Sequence, residues 1–218
     1  MTRTISSHAG TTRQDVITEK ALIMSGYGIN SELETKDALS RAGMDADIVH
    51  INDLIDRKYQ MTDYRLLVFP GGFSYGDDTG AGNAYANRVR NNLWNDLTEF
   101  LEDDNLVLGI CNGFQILANL GLVPAFDKHY KRDIALMPNR KGVLECRYVT
   151  IKPAHESLWT KGIERIVCPV SHGEGNFSCS KEILQRLKNQ KMIAFTYCRD
   201  DMRPADGEYP YNPNGSTA

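Results

Sequence analysis

Residues 105–121 read NLVLGICNGFQILANLG, and this stretch decides the fold. Its first half, Leu106-Val107-Leu108-Gly109-Ile110, is short, apolar and uncharged, and reads as a buried strand in the middle of a sheet. It stops at Cys111. Gln115, Ile116, Leu117 and Leu120 then recur at helical spacing, so a helix follows at once. Gly109 and Gly113 stand two residues to either side of the cysteine. A cysteine on a sharp strand-to-helix turn between glycines has the layout of a nucleophile elbow. The start of a helix carries about half a positive charge, which favours a thiolate, and its free N–H groups can hold an oxyanion. The alternative is a buried structural cysteine, since free cysteine behaves as a small hydrophobe.

Composition sets the class around that turn. A chain of 218 residues, 41% hydrophobic, builds one core without staples. A net charge of -3 with no basic stripe argues against a nucleic-acid binder. Five cysteines, odd in number and lacking any CxxC pair, argue against a disulfide framework or a zinc site, and no metal ligands are expected. A reducing cytoplasm fits that usage. No apolar run approaches the roughly 20 residues that span a bilayer, so no membrane role is expected.

Residues 1–19 are polar and read as a mobile extension, with His8 inert. Ala21-Leu22-Ile23-Met24 is a buried strand, followed by a glycine turn, and Asn30 or Ser31 is placed to cap a helix ending near Gly43. The GYGxN turn matches neither dinucleotide nor Walker sequences, so phosphate binding is not expected. Residues 46–51 form a second strand and residues 66–70 a third. The third runs into Gly71-Gly72, whose freedom permits close backbone approach to a ligand. One helix is expected over residues 85–102, with Leu93, Trp94, Leu97, Phe100 and Leu101 on one face. The alternation predicts a doubly wound, mostly parallel α/β sheet flanked by helices, with a flavodoxin-like core. Ligands collect at strand carboxyl ends in such sheets. If the strands before Gly71-Gly72 and Cys111 are neighbours, the amides of Gly72 and Asn112 can face one oxyanion. Further on, residues 147–151 and 192–197 read as strands and 181–188 as a short helix. Cys146, Cys168, Cys179 and Cys198 are read as structural. His50 is read as a satisfied histidine, and His129 and His155 as solvated.

LLVFPGGFSYGDD followed by LVLGICNGFQILANLGLVP resembles the class I glutamine amidotransferases. The FPGGFSYGD form is similar to the glutaminase subunits or domains of phosphoribosylformylglycinamidine synthases, which serve purine biosynthesis. PVSHGEGNF at residues 169–177 and YPYNPNGS at 209–216 resemble two further motifs of that family, in its order. The resemblance spans residues 20–216, so residues 20–218 are expected to form one glutamine amidotransferase domain. It implies that Cys111 attacks the glutamine carboxamide to give a glutamyl thioester, with Gly72 and Asn112 as the oxyanion hole. It places Gly71 and Gln115 beside the substrate, and the His172-Gly173-Glu174 turn around the glutamine pocket. It implies that ammonia passes to a synthase subunit or domain which holds ATP and magnesium, with a small accessory subunit as a further partner and no cofactor in this chain.

The family's catalytic histidine and glutamate lie in a Pro-His-Pro-Glu segment after NPNGS. That segment has no counterpart in the 218 residues, so a C-terminally truncated chain, or one completed elsewhere, is expected, and hydrolysis by this chain alone is not. Two rivals follow: a catalytically inactive regulatory or scaffold subunit, and a related elbow-cysteine hydrolase or stress protein that would lack FPGGFSYGDD and SHGEG.

Overall fold

The computed structural model describes residues 19–217. The mobile extension expected at residues 1–19 lies outside them, apart from Glu19. The fold starts on β1 (Lys20–Ser25) and continues through α1 (Glu32–Arg41), β2 (Asp45–His50), α2 (Ile51–Ile55) and β3 (Leu66–Phe69). Then come α3 (Asn83–Asn92), α4 (Trp94–Glu102), β4 (Leu106–Gly109) and α5 (Asn112–Leu120). The four strands form one parallel sheet in the order β2-β1-β3-β4. Ala21 to Met24 and Leu67 to Phe69 are buried completely, because helices cover both faces of the sheet. On one face Leu22, Met24, Val49, Leu67 and Phe69 pack with buried residues of α2, α3, α4 and α5. On the other, Ala21, Ile23, Ala46, Leu66 and Val68 form a smaller cluster capped by Leu39 of α1. The alternation along β1 thus feeds two cores, as the doubly wound reading requires.

The second half of the chain is antiparallel. It comprises β5 (Ala135–Met137), β6 (Glu145–Pro153), β7 (Ile166–His172), β8 (Asn176–Ser178), α6 (Lys181–Asn189) and β9 (Phe195–Cys198). β5 pairs with β8, and β6 lies between β7 and β9. These strands build two sheets apart from the parallel one.

Several expectations are corrected. The single helix over residues 85–102 is two helices, broken at Leu93, whose φ of -129 leaves the helical range. Leu93 and Leu97 are both buried in the core on either side of the break. It follows Asn91 and Asn92, poor helix formers, and the Asn92 side chain bonds back to the carbonyl of Arg88. β4 is not the middle strand. It is an edge of the parallel sheet among the described residues, and Leu106 and Ile110 are 39% and 44% exposed. Ser31 occupies the cap position of α1 without a side-chain cap bond, and its hydroxyl turns to Asn30 instead. Cys198 is buried, but Cys146 is exposed, because the β6 alternation turns it outward with Tyr148.

Candidate active site

The turn at Cys111 is built by close packing. Cys111 has φ 53 and ψ -114, a conformation that costs a non-glycine residue about 1–3 kcal/mol. The cost is sustained because α5 is held hard against β3. A methyl added at Gly113 would sit 1.8 Å from the carbonyl oxygen of Phe69, so no side chain fits there. One added at Gly109 would meet Leu117 Cδ1 at 2.6 Å and the carbonyl of Gly113 at 2.9 Å. The two glycines flanking the cysteine therefore touch the same joint from both sides. Cys111 is exposed and stands at the N-cap of α5. The positive end of the helix favours negative charge there.

β3 and β4 are parallel neighbours with Phe69 opposite Gly109. Gly71 and Cys111 each lie two residues beyond that pair, so both loops leave the sheet at one level. A Cβ built on Gly71 would lie 3.5 Å from Cys111 Cβ and 3.3 Å from Ser31 Oγ. The carbonyl of Gly71 accepts bonds from the amides of Asn30 and Ser31, and Phe73 N–H donates to Gly28. The close approach at Gly72 is to protein rather than to an open cleft. A side chain there would strike the backbone of Gly28 and Ile29 at 2.5 and 2.7 Å. The loop after β1 thus clamps the double-glycine bend from behind, with Cys111 in front. Among the described residues, neither Gly72 N–H nor Asn112 N–H donates to the turns that hold these loops.

Asn112 is 1% exposed and its side chain ties the loops together. Its Oδ1 accepts from Ser74 N–H at 3.1 Å, and its Nδ2 donates to Asp77 and to Gln115 Oε1, both at 3.0 Å. Gln115 in turn donates to the carbonyl of Glu174 at 3.1 Å. One chain of bonds therefore joins the double-glycine loop, the elbow and the His172-Gly173-Glu174 turn. Sequence reading named Asn112 for its backbone. The side-chain role was missed, and so were Asp77 and Asn139, which grips the turn from its far side. An asparagine just after the elbow was the available signal.

A cavity of about 260 Å³ lies behind Gln115, lined also by Glu174, Thr79, Asn83, Asn119 and Arg132. Cys111 lies one helical turn away from it. One cation, Arg132, and one anion, Glu174, face it. His172 does not address Cys111. Its Nε2 faces Asn214 Nδ2 at 3.3 Å, while its carbonyl is held by Asn139. Burial lowers its pKa below the usual histidine value. His50 Nδ1 accepts from Asn52 N–H and caps α2. Among the described residues no side chain hydrogen-bonds the Cys111 sulfur, and no group of three or more His, Cys, Asp or Glu side chains forms a metal site. No helix of the described residues is long and apolar enough to cross a membrane.

Comparison with known proteins gives the family. The CobB/CobQ-like glutamine amidotransferase domain matches residues 18–218. The phosphoribosylformylglycinamidine synthase subunit PurQ of Methanococcus maripaludis strain S2 is 52% identical over 203 residues, covering 92% of this chain and 74% of that one. The PurQ subunit of Treponema denticola is 39% identical, covering 91% and 80%. A solved structure of PurLQS from Thermotoga maritima aligns with a TM-score of 0.65 at 25% identity, over 86% of this chain and 80% of that one. The chain belongs to the CobB/CobQ-like glutamine amidotransferase domain family and, within it, to the PurQ subunits of phosphoribosylformylglycinamidine synthase.

Proposed function

We propose that this chain, the glutamine amidohydrolase component of phosphoribosylformylglycinamidine synthase in purine biosynthesis, cleaves glutamine at Cys111. The supporting observation is the placement of an exposed, strained cysteine on the end of α5, against the Gly71-Gly72 bend of the adjacent strand. In the proposed reaction the sulfur attacks the carboxamide carbon. The carbonyl oxygen takes up negative charge and is held by the N–H groups of Gly72 and Asn112. The C–N bond breaks as its nitrogen gains a proton, ammonia leaves, and a glutamyl thioester remains. Water cleaves the thioester to glutamate and restores the thiol.

Glutamine is a zwitterion at its other end, and the cavity behind Gln115 offers both signs. Arg132 is assigned to the α-carboxylate and Glu174 to the α-ammonium, with Gln115 and Gly173 along the chain between. The proton donor and acceptor are assigned to the family's Pro-His-Pro-Glu segment, which is not among the described residues. Ammonia passes to a synthase partner. ATP and magnesium belong to that partner, with a small accessory subunit completing the assembly in a reducing cytoplasm.

A second reading, an inactive scaffold subunit, draws on the absence, among the described residues, of any bond to the Cys111 sulfur. The glutamine analogue 6-diazo-5-oxonorleucine separates the two. The expected outcome is covalent mass on the peptide containing Cys111, blocked by excess glutamine and lost in Cys111→Ala. Labelling by iodoacetamide without labelling by the analogue would refute the glutaminase reading.

A further inference from the structure

The His172-Gly173-Glu174 turn is gripped from two sides, and one grip belongs to Asn139, in the Met137-Pro138-Asn139-Arg140 segment that resembles the family's sequence ahead of an antiparallel excursion and to which the sequence reading gave no role. Asn139 lies between β5 and β6 and is 2% exposed. Its backbone N–H donates to the carbonyl of Gly173 at 2.8 Å. Its side-chain Nδ2 donates to the carbonyl of His172 at 2.7 Å and to that of Val143 at 2.8 Å. Its Oδ1 accepts from Gly175 N–H at 3.2 Å. One asparagine thus satisfies three peptide groups of a four-residue turn. Glu174, the residue between them, keeps its carbonyl for Gln115.

We propose that Asn139 is a positioning residue for glutamine binding, acting through the turn. This rests on the glutaminase reading above. The asparagine fixes the peptide planes at positions 172, 173 and 175, and so fixes where Glu174 meets Gln115 and faces the cavity. The chemistry of the side chain is specific. It must donate twice and accept once in a buried place, which an amide does and a carboxylate does not. Asn139→Asp keeps the acceptor for Gly175. It replaces the donating nitrogen with an oxygen facing two carbonyl oxygens, and the turn must move to relieve the repulsion. The packing joint of the elbow does not use Asn139: Gly113 sits on Phe69 without it, and the turn reaches the elbow only through the side chains of Gln115 and Asn112. Binding and sulfur reactivity should therefore separate.

The test uses the full 218-residue chain and two reagents that report at Cys111 by peptide mass. 6-Diazo-5-oxonorleucine reads the glutamine pocket, and iodoacetamide reads the sulfur alone. For Asn139→Asp the half-saturating concentration of the glutamine analogue is expected to rise at least about tenfold. The limiting labelling rate and the iodoacetamide rate should stay within about twofold of wild type, since the elbow is untouched. Should the aspartate variant fail to fold, Asn139→Ser takes its place, with the same split expected at smaller amplitude. Saturation curves that coincide with wild type, or an iodoacetamide rate that falls in step with analogue labelling, would overturn the positioning role. A wild-type chain that the analogue does not label at all would overturn the glutaminase reading, and this inference with it.

Discussion

Gly113→Ala sets two opposed effects against each other at the joint beneath Cys111. Alanine is a better helix former than glycine by about 1 kcal/mol, so on propensity alone α5 gains stability. The structure predicts the opposite. The new methyl would lie 1.8 Å from Phe69 O, where ordinary contact begins at 3.4 Å, so α5 must retreat from β3 by about 1.6 Å. The obstacle is backbone in a fully buried strand and has no rotamer to change. Overpacking of this kind costs about 1–3 kcal/mol and here takes the upper part of that range. The net loss is about 2 kcal/mol, or a Tm lower by about 4–8 °C for a chain of this size. The retreat also carries Cys111 away from Gly71, so labelling by the glutamine analogue should fall further than the Tm alone implies. Thermal unfolding followed by circular dichroism and peptide-resolved labelling measure the two. Gly173→Ala is the control for the Tm alone, because a methyl there meets nothing within 4 Å and Gly173 has no left-handed φ. A Gly113→Ala protein as stable as wild type, with undiminished labelling, would show that the α5–β3 joint does not set the position of the cysteine.

Two further outcomes follow from the same geometry. Cys111→Gly removes a left-handed side chain at φ 53 and should raise the Tm by about 2–4 °C, a gain of about 1 kcal/mol, while abolishing labelling; a lower Tm would contradict the strain assigned to this residue. His172 is the pH-sensitive point of the turn. Desolvation lowers its folded pKa, so the unfolded chain binds the proton more readily. Its contribution to stability is complete above the ordinary histidine pKa of about 6.5 and is lost as pH falls through the lowered folded value. The Tm of wild type is expected to drop more steeply than that of His172→Gln between pH 7.5 and 5; parallel slopes would remove His172 from that role.

The elbow was legible because its causes are local. An uncharged apolar run, a cysteine and glycines at fixed spacing sit in 17 contiguous residues, and the close contacts at Gly109 and Gly113 explain the spacing. That β3 and β4 are neighbours was only a condition of the sequence reading: the rule that such sheets gather their loops at strand carboxyl ends does not order the strands, and the pairing is seen in the structure. The position of β4 within the sheet did not follow, because an apolar run looks the same at an edge and in the middle. The break at Leu93 was hidden for a similar reason: the apolar helical spacing continues through it, and Leu93 and Leu97 are both buried as they would be in one helix. The role of Asn139 was invisible for a different cause. Its partners in the His172–Gly175 turn lie 33 and more residues away, and a buried asparagine is indistinguishable in sequence from one in a surface turn.

The free side of β4 has a practical meaning for anyone handling the protein. Along that side the ladder groups of Val107 and Gly109 have no companion strand among the described residues, and apolar side chains stand at either end. Such a margin accepts any extended segment that drifts past, including the same margin of a sibling molecule. Concentrating the chain by itself invites two copies to pair along this seam, so purification alongside its synthase or at low concentration is the prudent course.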